Sequence, residues 1–180
     1  MKPRAGLINR AYKAQWSAFE SKSKEVAMNY WLMKSEPSTF GIDDLAVAKN
    51  RTTGWDGVRN FQARNYLKAM KKDDLAFFYH SSCDVPGVAG VVKISREAYP
   101  DASAFNAKDD HYDADSDPEN PRWYAVDIKL ERKFARVISL EELRSHQSGK
   151  LKNMIVLKRG NRLSITPVTK SEFDFIASLA

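Results

Sequence analysis

The sequence predicts a single α+β domain, a curved or barrel-like sheet with helices around its periphery. Three observations carry that prediction. Apolar, β-branched runs recur along the chain without helical segments alternating regularly between them. Two helix-capping signatures stand in its C-terminal part. A chain of 180 residues, 43% of them hydrophobic, suffices for one well-formed core but not two large ones, at roughly 150 residues per domain.

Residues 1–27 stand apart from the rest. They hold Lys2, Arg4, Arg10, Lys13, Lys22 and Lys24 against Glu20 and Glu25. Asn9, Arg10, Lys13 and Gln15 interrupt any apolar run, so no cleaved secretory signal is expected. Leu7, Ile8, Ala11, Trp16 and Phe19 predict an imperfect apolar stripe on a helix, while the acid-poor composition also fits a transit peptide. The simplest division is a basic extension over residues 1–28 and a folded domain over 29–180.

Within that domain, "YWLMKS" (30–35) predicts a buried strand, broken by the proline and glycine of "EPSTFG". Phe61, Ala63, Tyr66, Leu67 and Met70 form the apolar face of a helix expected over 59–70. The apolar segments 73–81 and 87–99 read as strands joined through "SCDVPG". In 122–134, Tyr124, Val126, Ile128 and Leu130 alternate with Asp127, Lys129 and Glu131, the period of a half-buried strand. Ser139 with Glu142, and Thr169 with Glu172, have the spacing of capping boxes and start two helices.

The formal charge of +6 invites a nucleic-acid reading, but residues 1–27 carry +4 of it and leave the body at only +2. Charge alone therefore decides little. No apolar run approaches the roughly 18 residues that span a bilayer, so no membrane partner is expected. One cysteine, Cys83, excludes a disulfide framework and suits a reducing cytosol or nucleus. Asp113, Asp115 and Asp117 have the opening spacing of a calcium loop, but Pro118 replaces the required glycine and Tyr124 the closing glutamate. Neither a metal nor a cofactor is predicted. His80 with Cys83, Ser81 or Ser82 is an uninformative spacing for a nucleophile, and no nucleophile elbow or phosphate-binding loop is present.

One constellation stands out. A strand ends in Lys34, Ser35 and Glu36; a glycine-flanked Trp55 precedes Arg59 and Asn60; a second strand ends in Tyr79, His80 and Ser81. Strand ends that converge on a pocket lined in this way would suit a flat heteroaromatic ligand, with rings for stacking and amide, hydroxyl and ammonium groups for its edge. The alternative is that Trp55 and Tyr79 are core residues and Lys34 and Glu36 a surface pair.

In that order, "WLMKSEP", "GWDGVRNFQARN", "FFYHSS", "GVAGVVKI", "DPENPRWYAVDIK" and "RLSITPVT" resemble the EVE-domain family over about residues 29–179. The resemblance implies a PUA-like fold, a β-barrel with surrounding helices, and a non-enzymatic module that reads a modified base in nucleic acid, notably a modified cytosine in DNA. It places the base pocket on Lys34, Ser35, Glu36, Pro37, Trp55, Asn60, Tyr79, His80, Ser81, Leu163 and Ser164, and phosphate contacts on Arg59, Arg64 and Arg162. The expected mechanism is stacking of an extruded base on Trp55, with Tyr79 as a second wall and Glu36 accepting from an exocyclic amine. A monomer in a bacterial cytosol or a nucleus is expected. An RNA-modification reader, a nucleotide-modifying enzyme using Glu36 or His80, and a small-ligand module are the rivals.

Overall fold

The computed structural model describes residues 28–180, so the apolar stripe expected between Leu7 and Phe19 lies outside the described residues. Among those described, six strands form one mixed sheet. They are β1 (Tyr30–Ser35), β2 (Thr52–Trp55), β3 (Leu75–His80), β4 (Gly87–Pro100), β5 (Tyr124–Ser139) and β6 (Ile165–Val168), in the order β2-β5-β4-β3-β1-β6. β1 and β3 run parallel, and the other neighbouring pairs are antiparallel. A parallel pair needs a crossover rather than a hairpin. Here the crossover carries helix α1 (Ile42–Val47), strand β2 and helix α2 (Phe61–Ala69). Helices α3 (Leu140–Ser145) and α4 (Lys170–Ala177) follow β5 and β6.

The barrel is not closed. β2 and β6 form the two edges, each only four residues long, and no ladder joins them. Curvature comes from the β4–β5 pair, whose register shifts at Val88/Gly90, Val91/Val92, Ile94/Arg96 and Arg96/Tyr99, since each irregularity of this kind bends and twists a strand. α2 packs against β4, β5 and β6 and so covers the interior near both edges.

Side-chain alternation sorts the core into two layers. Trp31 and Met33 of β1 and Ala76 and Phe78 of β3 face an inner cluster with Trp55, Ile128, Ile165, Leu45 of α1 and Leu67 of α2. Leu32, Phe77 and Tyr79 point the other way, into a cluster with Phe134, Leu143 of α3 and Phe173 and Ile176 of α4. Both faces of the sheet are thus buried, which is why β1 and β3 read as continuous apolar runs rather than alternating ones.

Several boundaries differ from the sequence-based expectation for local reasons. α2 begins at Phe61, because the Asn60 carboxamide oxygen accepts the amides of Gln62 and Ala63 at 2.9 and 3.0 Å and acts as N-cap. Phe61, expected on the apolar face, is 56% exposed. β5 continues to Ser139, which both ends the strand and caps α3; the Glu142 carboxylate pairs with Arg136 instead of closing a capping box. Thr169 and Glu172 form the complete box expected of them. Asp113 accepts from Trp123 Nε1 at 2.5 Å and from Arg122, so the first position of the calcium-like spacing is turned inward.

Candidate functional site

A cleft of about 460 Å³ opens where the two edges of the sheet come near each other. Thr53, Gly54 and Trp55, at the end of β2, form one wall and continue into Asp56–Arg59. Lys34 and Ser35, at the end of β1, form the other wall with Ser164, whose carbonyl accepts the Lys34 amide at 2.8 Å just ahead of β6. Thr39 and Phe40 come from the turn after β1. His111 reaches the cleft from a loop distant in sequence.

The wall from Asp56 to Arg59 has no regular structure and is held by a single buried carboxylate. Asp101 Oδ2 accepts the Gly57 amide at 3.0 Å and Arg59 Nη1 at 2.7 Å, while Oδ1 accepts both the amide and the hydroxyl of Ser103, at 2.9 and 2.6 Å. Burial pushes the Asp101 carboxyl up, but the bonds from Arg59, Ser103 and Gly57 outweigh it and hold the group below its ordinary value. Gly57 has φ of +70°. A Cβ there would stand 2.9 Å from the His111 ring. Gly57→Ala is therefore expected to cost about 1–3 kcal/mol by urea unfolding and to displace His111, a change visible as a shifted imidazole resonance.

Inside the cleft the groups are chemically mixed. Trp55 is only 8% exposed, with Phe78 in a T-shaped contact at 5.5 Å, so only a small part of the indole is open to the cleft. Trp31 and Trp123 give their indole N–H to Asp74 and Asp113. The Trp55 N–H has no acceptor among the described residues. Burial pulls the Lys34 ammonium below its usual range. Burial, reinforced by the nearby Asp101 charge, pushes the Asp56 carboxyl above its own. Polar groups of both signs therefore border the cleft, with Asp56 open to solvent and the Lys34 ammonium lying 5.9 Å from the centre of the Tyr79 ring.

Lys34, Ser35, Trp55, Arg59 and Ser164 of the expected site line this cleft; the others stand elsewhere. Tyr79 points into the outer core cluster, on the opposite face of β3 from Phe78; it is no second wall beside Trp55 and meets the cleft only through its register partner Lys34, whose ammonium lies 5.9 Å from its ring centre. His80 Nε2 accepts the Ile42 amide at 3.1 Å, and burial lowers its basicity, opposed by Asp43; it anchors the start of α1. Ser81 donates through its amide and hydroxyl to the Ser35 carbonyl. Glu36 is exposed, Pro37 is half-buried, and neither lines the cleft. Asn60 is engaged as the cap of α2, and Leu163 lies half-buried beside Asn161.

The arginines also divide. Arg59 bonds the carbonyls of His111 and Val58 as well as Asp101 and the Ser103 hydroxyl, and its guanidinium lies 5.4 Å from the Trp123 ring centre. Four of its N–H groups are engaged, so it braces the wall instead of offering a free fork to a phosphate. Arg64 bonds Asn65 and the Arg122 carbonyl. Arg162 is exposed and makes no hydrogen bond or ion pair with the described residues. Thr39, Phe40, Thr53, His111 and the Asp101 anchor escaped sequence reasoning: Thr53 sits beside Trp55 on a strand too short to show a period, and the fold brings the other four to Trp55.

Residues 29–179 match the EVE domain. Thymocyte nuclear protein 1 of chicken is 46% identical over 99% of this chain and 81% of its own length. The human protein of that name is 49% identical over 84% of this chain and 73% of its own. Among solved structures, human THYN1 protein in complex with 5-methylcytosine containing DNA superposes with a TM-score of 0.80 at 49% identity, covering 84% of this chain and 96% of that one. A Pseudomonas putida protein superposes with a TM-score of 0.79 at 43% identity, covering 83% and 98%. With nearly the whole described fold shared at this level of identity, the chain belongs to the EVE domain family.

Proposed function

We propose that the cleft admits one modified cytosine, extruded from DNA, and that the protein reads this base without altering it. The observation that carries the proposal is the pairing of Trp55 with Lys34 and Asp56 in one cleft, in a chain 49% identical to a protein solved with 5-methylcytosine DNA. Cytosine shows a donor at its exocyclic amine and acceptors beside it. Asp56, which unlike Glu36 lines the cleft, accepts from the amine, and Lys34 with the Trp55 N–H donates to the acceptors. Phe40 and Val58 supply apolar surface for a methyl group. His80, with its lone pair committed to Ile42, and Glu36, outside the cleft, are poorly placed for acid–base chemistry, which favours binding over turnover.

A single buried methyl is worth about 0.8 kcal/mol, so methylcytosine is expected to bind about fourfold more tightly than cytosine in otherwise identical DNA. Titration of matched DNA and RNA oligonucleotides at two salt concentrations checks this. Phosphate contacts predict weaker binding at the higher salt. Equal affinity for all bases, or a preference confined to RNA, would refute the cytosine-in-DNA reading.

A further inference from the structure

Phe61 is a large apolar side chain left 56% exposed at the first position of α2, two residues beyond the cleft wall at Arg59. It is not loose. Its ring stacks on Trp123 with centroids 5.0 Å apart and planes 25° apart, and the Arg64 guanidinium lies 4.9 Å from its centre. Trp123 is fixed in turn by its N–H bond to Asp113 and by its carbonyl, which accepts the Asp101 amide at 3.0 Å. Arg59 packs on the same Trp123 ring, so one rigid stack connects the cleft wall to Phe61.

Arg64 and Lys68 of α2 are the basic groups near Phe61 that pair with no carboxylate among the described residues, whereas Arg59 is held by Asp101, Lys71 by Glu97, and Asp113 stands behind Trp123. Two residues span at most about 7 Å, roughly two base steps of about 3.4 Å, so Phe61 stands within reach of the nucleotides next to one held in the cleft. An exposed aromatic locked before binding loses little rotamer freedom when it inserts.

Resting on the cleft as the base site, we infer that Phe61 is a wedge that enters the base stack of duplex DNA beside the extruded cytosine and fills the gap it leaves. Apolar side chains inserted between base steps unstack and kink a duplex, and such insertion matters only where a stack must be broken. The wedge therefore acts on double-stranded substrate, while the cleft acts on the base itself.

The test uses the full chain, wild type and with Phe61→Ala or Phe61→Trp, against one oligonucleotide carrying cytosine or methylcytosine at the same position, each in single-stranded and duplex form. The duplex carries 2-aminopurine beside that position. In Phe61→Ala the ratio of duplex to single-strand affinity is expected to fall about tenfold, and the 2-aminopurine fluorescence gain to disappear. Phe61→Trp is expected to keep both. An unchanged ratio, or equal losses on the two forms, overturns the wedge while leaving the cleft reading intact. Wild-type protein that binds neither form, or binds without regard to methylation, overturns the cleft reading and the wedge together.

Discussion

Trp55→Ala is expected to lower the melting temperature by about 10 °C and to abolish any preference for methylcytosine. The two losses have separate causes. Trp55 belongs to the inner core cluster and packs against Phe78 in a T-shaped contact, and removing a buried indole of this kind costs about 3–5 kcal/mol, at roughly 2–4 °C per kcal/mol for a domain of this size. The binding loss comes from the open part of the indole and its N–H. Trp55→Phe separates them, since it retains most of the apolar volume but has no N–H to donate. It is expected to unfold about 1–2 kcal/mol below wild type while losing most of the binding. Thermal unfolding alongside oligonucleotide titration reads both. A Trp55→Phe protein that bound methylcytosine DNA as well as wild type would show that the indole N–H plays no part.

Asp101→Ala is expected to destabilise the protein by about 3–5 kcal/mol and to weaken the cleft as a unit, although Asp101 is not among the residues lining it. Its side chain is fully buried, and its removal leaves the Gly57 amide, the Ser103 hydroxyl and the Arg59 guanidinium without their acceptor. The pH dependence has a definite sign. The folded carboxyl titrates below its ordinary value, so its contribution is complete above the unfolded pKa of about 3.9 and disappears as the pH falls through the lower folded value. Urea unfolding between pH 7 and pH 3 is thus expected to show a steeper acid loss in wild type than in Asp101→Asn. Parallel curves for the two proteins would remove the carboxylate from its assigned role.

Much of the sheet was legible because β1, β3, β4 and β5 are long enough to display a pattern. β2 and β6 were not, since four residues such as "TTGW" carry no period that separates a strand from a loop. The site was legible only as far as it follows single segments. Lys34, Ser35 and Trp55 end strands, and those strand ends converge on the cleft. Tyr79 misled because one step along β3 exchanges the inner face for the outer, and a run buried on both sides gives no sign of which residue faces which layer. Asp101 and His111 were invisible for a different reason. They act on a loop more than forty positions away, and nothing near them in sequence indicates that contact.

The parallel pairing of β1 with β3 also sets an order of assembly. Because that pairing needs a crossover, the cleft wall around Trp55 is built on the crossover itself, and its strand partner in β5 is synthesised long after it. A nascent chain that has emerged only through β3 has every Trp55 wall residue but neither the β5 ladder nor the Asp101 anchor to shape them. Contacts this remote in sequence form late in folding, after the entropy of closing the intervening loop has been met. The cleft is accordingly expected to be a product of the completed fold, since truncation before β5 removes the strand that pairs with the Trp55 segment.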